Sequence, residues 1–332
     1  LKDIGLLLIS LGIILLGAEG FTNGVEWLGR KLKLGAGAVG SILAAVGTAL
    51  PETMVPIMAF LGGGEGTKGS EIGIGAILGA PFMLATLAFF ITGLAVLLFR
   101  GRNNPLLLDA KVVKHDLEFF LIVYTMAILA SFLPTQTLKN GAAWALVAAY
   151  GVYVIQTLRE SKDEHDHEKL APLYVSRRTR HPALFMILLQ ISLSLAAIVI
   201  GASGFVKAVE PIALAAGIPV FVLALIITPI ATELPEKFNS VLWVRRGKDT
   251  LALGNLTGAM VFQSSVIPAI GIVITPWTLD SLALWSAFLA LGAALAPYLS
   301  LRRKGVILPS NLLIGGVFYL IFILTVFRFP NP

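Results

Sequence analysis

Apolar blocks of about twenty residues, the length a helix needs to cross a bilayer, recur from one end of this chain to the other. Short polar connections separate them. Inside hydrocarbon every backbone N–H and C=O must find a partner within the protein, so such blocks are stable as helices or as closed barrels. Blocks this long read as helices. Of the 332 residues, 57% are hydrophobic and 13% charged, against roughly 25% charged in an ordinary soluble domain. A water-soluble fold of this composition would expose large contiguous apolar patches. Hydrophobicity excludes disorder, and the absence of cysteine excludes a disulfide-stapled secreted module. The expected class is all-α, a polytopic membrane protein of about ten transmembrane helices.

The expected spans are 4–27, 36–61, 72–98, 117–133, 140–158, 183–206, 214–242, 250–274, 279–299 and 311–328. The first block, Gly5 to Gly17, could pass for a signal-peptide core, but Glu19 and Glu26 follow it without a clear small-residue cleavage site, so it reads as a span. The net charge of +6 is not a nucleic-acid signature, because the basic residues sit in clusters between the apolar blocks. Loops after odd-numbered spans hold Arg30, Lys31 and Lys33; Arg100, Arg102, Lys111 and Lys114; six residues between Arg159 and Arg180; Arg245, Arg246 and Lys248; and Arg302, Arg303 and Lys304. The other side holds Lys2, Lys68, Lys139, Lys207 and Arg328. The positive-inside rule then places the odd loops in the cytoplasm and both termini outside a cell membrane. The longest polar stretch divides the chain into a first five-helix repeat (1–158), a cytoplasmic linker (159–182) and a second five-helix repeat (183–332).

Five spans per half turns the second half upside down relative to the first, so a duplication appears as an inverted repeat. Residues 47–52 read G-T-A-L-P-E and 231–236 read A-T-E-L-P-E; in the next span of each half, 73–80 reads G-I-G-A-I-L-G-A and 252–259 reads A-L-G-N-L-T-G-A. Pro51 and Pro235 cannot donate a helical hydrogen bond, which frees the carbonyls of Gly47 and Ala231. Thr48 and Thr232 precede Glu52 and Glu236 by one helical turn and share a face with them. Broken helices at the centre of the two repeats would therefore present carboxylates, hydroxyls and carbonyls to one point. All-oxygen ligation with two or more carboxylates suits a hard cation of the calcium class. A purely structural proline kink is the bland alternative, but an ionised glutamate at bilayer depth costs about 2.5 kcal/mol or more, and two at equivalent places of a repeat argue for function.

Glu233 is a candidate third carboxylate, and Gln263 and Asn255, eight residues apart, are candidate amide ligands. Thr257 and Ser264 read as packing or backbone-bonded residues, and Glu19 as an access-path acid or an interfacial residue. The acidic and histidine run at 163–168 reads as a solvated loop. All four histidines, His115, His165, His167 and His181, fall in expected loops, which argues against a histidine-based intramembrane metalloenzyme. A channel would need a continuous polar pore.

The paired motifs and Gly17-Ala18-Glu19 resemble the calcium/cation antiporter superfamily over nearly the whole chain, with the prokaryotic sodium/calcium exchangers the nearest branch. The resemblance implies exchange of Ca2+ for Na+ by alternating access, with protons as the alternative counter-ion, and a central ion site built by spans two, three, seven and eight. Glu52 and Glu236 would be the central carboxylates, with Thr48 and Thr232 beside them. Ala49, Ala80, Leu84 and Ala259 stand where the family pattern has small polar residues, Glu233 where it has serine and Gln263 where it has aspartate. Neither an enzymatic activity nor a cofactor is expected. The expected partners are the lipid bilayer, Ca2+ and monovalent cations, not nucleic acid; the oligomeric state is open and a monomer is compatible.

Overall fold

The computed structural model describes residues 2–31, 50–62, 67–100, 105–106, 108–160, 171–176, 182–245, 247 and 249–328. These residues are helical with short connections, and no strand occurs among them. In chain order the helices are α1 (Lys2–Lys31), α2 (Leu50–Gly62), α3 (Thr67–Met83), α4 (Phe89–Arg100), α5 (Ala110–Ala130), α6 (Gln136–Glu160), α7 (Leu184–Ala216), α8 (Val220–Arg245), α9 (Asp249–Ile274), α10 (Ser281–Lys304) and α11 (Pro309–Arg328). A π-helical turn, Leu84–Ala88, joins α3 to α4 into one continuous apolar span from Lys68 to Phe99. Counting that span once, the described residues hold ten helices, the number expected from sequence. Among the described residues seven helices are long and apolar enough to cross a membrane, and shorter apolar segments occupy Pro51–Leu61 and Val220–Ile230.

Local chemistry sets the helix ends. Asp109 and Asp280 cap α5 and α10 by accepting from the backbone N–H groups of Lys111 and Ala283. Gly217 and Gly305 end α7 and α10 in the left-handed region, at φ 64° and 70°. That stop lies beyond the boundary expected from sequence: the sixth span was expected to end at 206, but α7 continues through Lys207, Glu210 and Pro211 to Ala216. The fourth span was expected to begin at 117, yet α5 starts at Ala110 and takes in His115 and Asp116. His115 is thus a helix residue and not a loop residue.

Large exposed side chains such as Leu16, Trp144, Phe185 and Ile200 cover the outer surface, as lipid contact requires of a protein whose hydrophobic residues need no watery exterior. One large buried cluster joins α3 to α6 with α8 to α11, and a second lies between α1, α2, α3, α7 and α8. α1 packs along α7 through small residues. A Cβ on Gly17 would lie 2.8 Å from Ile198 Cγ1, and one on Gly201 would lie 2.8 Å from Ile14 Cγ1. Gly20 meets Ser194 and Gly204 meets Ser10 in the same way. Each of these residues has an identical counterpart 184 positions along the chain, the offset that also separates Glu52 from Glu236. The middle of the contact between α1 and α7 is thus symmetric in residue type.

Gly17→Val forces a branched side chain into that contact and is expected to destabilise the protein by about 1–3 kcal/mol. Gly12, around which nothing lies within 4 Å, is the control: Gly12→Ala should leave the thermal unfolding midpoint in detergent unchanged or slightly raised, while Gly17→Val lowers it.

Candidate ion-binding site

The described part of α2 opens with Leu50, Pro51 and Glu52. Glu52 is buried, at 2% exposure. Gly47 and Thr48 lie outside the described residues.

α8 supplies the facing half. The helix runs on through Pro235, whose nitrogen carries no hydrogen, so the Ala231 carbonyl lacks its usual amide donor four residues on. Thr228, Thr232 and Glu233 are all buried, and the Thr232 hydroxyl donates to the Thr228 carbonyl at 2.8 Å. Glu236 stands one turn beyond Thr232; its side chain and that of Ala231 fall outside what is described. The Gly-rich stretch of α3 explains how α8 is approached so closely. A Cβ on Gly75 would lie 2.5 Å from the Phe221 carbonyl oxygen, which fixes the backbones of α3 and α8 almost in contact. Ala80 and Leu84, both buried, give this wall an apolar face.

α9 contributes Gln263, 3% exposed, whose Nε2 donates to Glu233 Oε1 at 2.6 Å. This charge-assisted bond ties α8 to α9 beneath the surface. Gln263 Oε1 has no hydrogen-bond partner among the described residues, and neither does Thr228 Oγ1. Buried acceptors of this kind are normally satisfied, by protein or by something bound. The structure therefore brings together Glu233 and Gln263, and buries Glu52 and Thr232 on helices that pack against each other and against α9. It does not bring Asn255 to them. That side chain is exposed, and eight residues of helix put it about 12 Å along the axis from Gln263.

Ser264 and Ser265 turn their hydroxyls onto the carbonyls of Met260 and Val261, both at 2.6 Å, as the backbone-bonded reading of Ser264 anticipated. Glu19 is exposed and accepts from the Tyr174 hydroxyl at 2.7 Å, so it serves the linker. Among the described residues no three acidic or histidine side chains lie together; the acids they bring to this region are Glu52 and Glu233.

Asp116 is a buried acid that the sequence reading passed over. It is 3% exposed on α5, and it accepts from Thr257 Oγ1 of α9 at 2.6 Å and from the Tyr153 hydroxyl of α6 at 3.0 Å. The group pins α5, α6 and α9 together. Its sequence signal was an acid one residue before the apolar run that begins at Leu117, behind Lys114 and His115, whose polarity reads as loop.

Residues 2–158 and 186–329 match the family described as sodium/calcium exchanger protein. The inner membrane protein YrbG of Escherichia coli (strain K12) is 23% identical over 278 residues, covering 84% of this chain and 82% of its own. Among solved structures, the H+/Ca2+ exchanger CAX superposes with a TM-score of 0.75 at 16% identity, covering 99% of this chain and 82% of that one. The sodium-calcium exchanger NCX_Mj, soaked with Na+ and Sr2+, gives 0.59 at 20% identity, covering 97% of this chain and 98% of that one. At these identities the likeness is one of fold.

Thr257→Val removes the hydroxyl donor from Asp116 Oδ2 while keeping the side-chain shape. Leaving a buried carboxyl oxygen without that bond should cost about 1–3 kcal/mol, read as a lower unfolding midpoint in detergent, whereas Thr257→Ser should restore most of it.

Proposed function

Because the chain belongs to the sodium/calcium exchanger protein family, we propose that it is a secondary antiporter carrying Ca2+, or a divalent cation of similar size, across a cell membrane against Na+. Glu52, Glu233 and Glu236 supply the charge in this reading. Thr48, Thr232 and the carbonyls of Gly47 and Ala231 add neutral oxygens, and Gln263 Oε1 adds an amide oxygen. The observation that carries it is the buried Glu233–Gln263 pair. A carboxylate held deep within a membrane helix by an amide donor, with the amide's own oxygen left over, is an oxygen-donor surface awaiting a hard cation.

The mechanism follows from charge. An unoccupied pocket of two or three carboxylates is costly to close off in low dielectric. Occlusion then requires Ca2+ or compensating monovalent cations, and this requirement enforces exchange and suppresses leak. The α1–α7 pair slides past the rest of the protein and opens the site to one side and then the other. The linker and the odd-numbered loops face the cytoplasm and both termini face out, with the two halves, 1–158 and 183–332, as the inverted units. Transport needs neither a cofactor nor an enzymatic step.

Protons are the second reading for the counter-ion, and one observation favours it. Ala80 on α3, Leu84 in the π-helical turn that follows it and Ala259 on α9 offer no side-chain oxygen to a sodium ion, while a proton needs only the carboxylates themselves.

Reconstituted vesicles loaded with Ca2+ should exchange it for labelled Ca2+, and Glu52→Gln or Glu236→Gln should reduce this to background. Near-normal exchange by either variant would refute the site. Uptake driven separately by an imposed Na+ gradient and an imposed pH gradient identifies the counter-ion: Na+-driven uptake supports the first reading, pH-driven uptake the second.

A further inference from the structure

The α1–α7 pair is symmetric through its middle and loses that symmetry at one end. Ser10 and Ser194, Ile14 and Ile198, Gly17 and Gly201, and Gly20 and Gly204 are identical pairs at the 184-residue offset. Toward the end that carries the linker the pairs differ in kind: Glu19 corresponds to Ser203, Asn23 to Lys207 and Gln190 to Leu6. A duplication alone would not place three polar departures on one end of one interface.

All three departing side chains engage the same short piece of the linker. The Tyr174 hydroxyl donates to Glu19 Oε1 at 2.7 Å. Asn23 Oδ1 accepts from the Tyr174 backbone N–H at 3.3 Å and from Gln190 Nε2 at 2.9 Å. Gln190 Oε1 accepts from the Val175 N–H at 3.0 Å, and Gln190 Nε2 also donates to the Gly20 carbonyl at 2.8 Å. Trp27 Nε1 and Asn23 Nδ2 donate to the Ala171 carbonyl at 2.9 and 3.4 Å. Leu173 is fully buried against Trp27 and Ile187. Asn23 and Gln190 are themselves 4% and 3% exposed, and a buried amide requires its hydrogen bonds. The notch between α1 and α7 is complete with the linker seated in it.

We propose that residues 171–176 form a clasp that belongs to the α1–α7 body and travels with it. The sliding unit then begins at residue 171, not at Leu184, and the linker is a handle attached to the gate. This inference rests on the sliding reading given above. The ion pair between Lys68 of α3 and Glu210 of α7, at 2.6 Å, is the contrasting contact: it joins the pair to the rest of the protein, so sliding must break it.

The chain contains no cysteine, so thiol pairs can be introduced in isolation. Glu19→Cys with Tyr174→Cys, and separately Lys68→Cys with Glu210→Cys, are each bridged in vesicles by a bifunctional thiol reagent of about the length of the side chains replaced. The clasp bridge should form readily and leave Ca2+ exchange within about twofold of the unbridged protein, while the Lys68–Glu210 bridge arrests exchange. Arrest by the clasp bridge, or its failure to form, would overturn the clasp. Exchange that survives the Lys68–Glu210 bridge would instead overturn sliding. Gln190→Leu provides a check independent of transport. It removes the amide that joins Gly20, Asn23 and Val175, and should slow clasp bridging roughly tenfold, equivalent to about 1.4 kcal/mol; Gln190→Asn should recover part of that loss, and an unchanged rate in Gln190→Leu would count against the clasp.

Discussion

A carboxylate beneath the surface of a membrane protein must be neutralised, hydrogen-bonded or abandoned as a charge, and the arrangement of this molecule answers that demand at Glu233 and Asp116. Glu233 is met by an amide from the neighbouring helix, and Asp116 by two hydroxyls from two other helices. The two solutions differ in consequence. Asp116 has donors on both oxygens and holds helices together. The Glu233–Gln263 pair keeps an amide oxygen in reserve, the oxygen that the proposed cation site uses.

Close backbone packing makes these meetings possible. α3 can lie against α8 because Gly75 and Gly79 leave no side chain between them, and α1 can lie against α7 because glycines on each helix receive the branched or hydroxyl side chains of the other. The first contact sets the wall behind the proposed site. The second makes a smooth pair of helices that the linker then fastens at one end. Small residues thus perform two tasks, fixing one interface and leaving another symmetric enough to move as a unit.

Much of this was legible in the sequence. Apolar length predicted the spans, because hydrocarbon thickness is a fixed ruler. The repeated T-x-L-P-E segments pointed to Glu52, Thr232 and Glu233, all of which are buried. Gln263, singled out by its place in the eighth span, is also buried, and its amide nitrogen, not its oxygen, is the atom that meets Glu233. What escaped did so for physical reasons. Asn255 shares a helical face with Gln263, but helical register says nothing about depth. Asp116 lay beside a boundary that charge alone cannot locate to one residue. Asn23 and Gln190 are unremarkable amides in sequence, since the backbone they hold is about 150 positions away in one case and part of a polar linker in both. Comparing the halves at the 184-residue offset would have exposed them, as the points where a repeated interface stops repeating.

The central claim is that acids from the two halves converge on one divalent cation. Anomalous diffraction from crystals soaked in strontium tests it most directly. The account predicts a single strong peak inside the membrane region, with carboxylate oxygens of both Glu52 and Glu236 at about 2.3–2.6 Å, the range for calcium-class ligation. A peak bound by one half alone, or lying away from both glutamates, would contradict it.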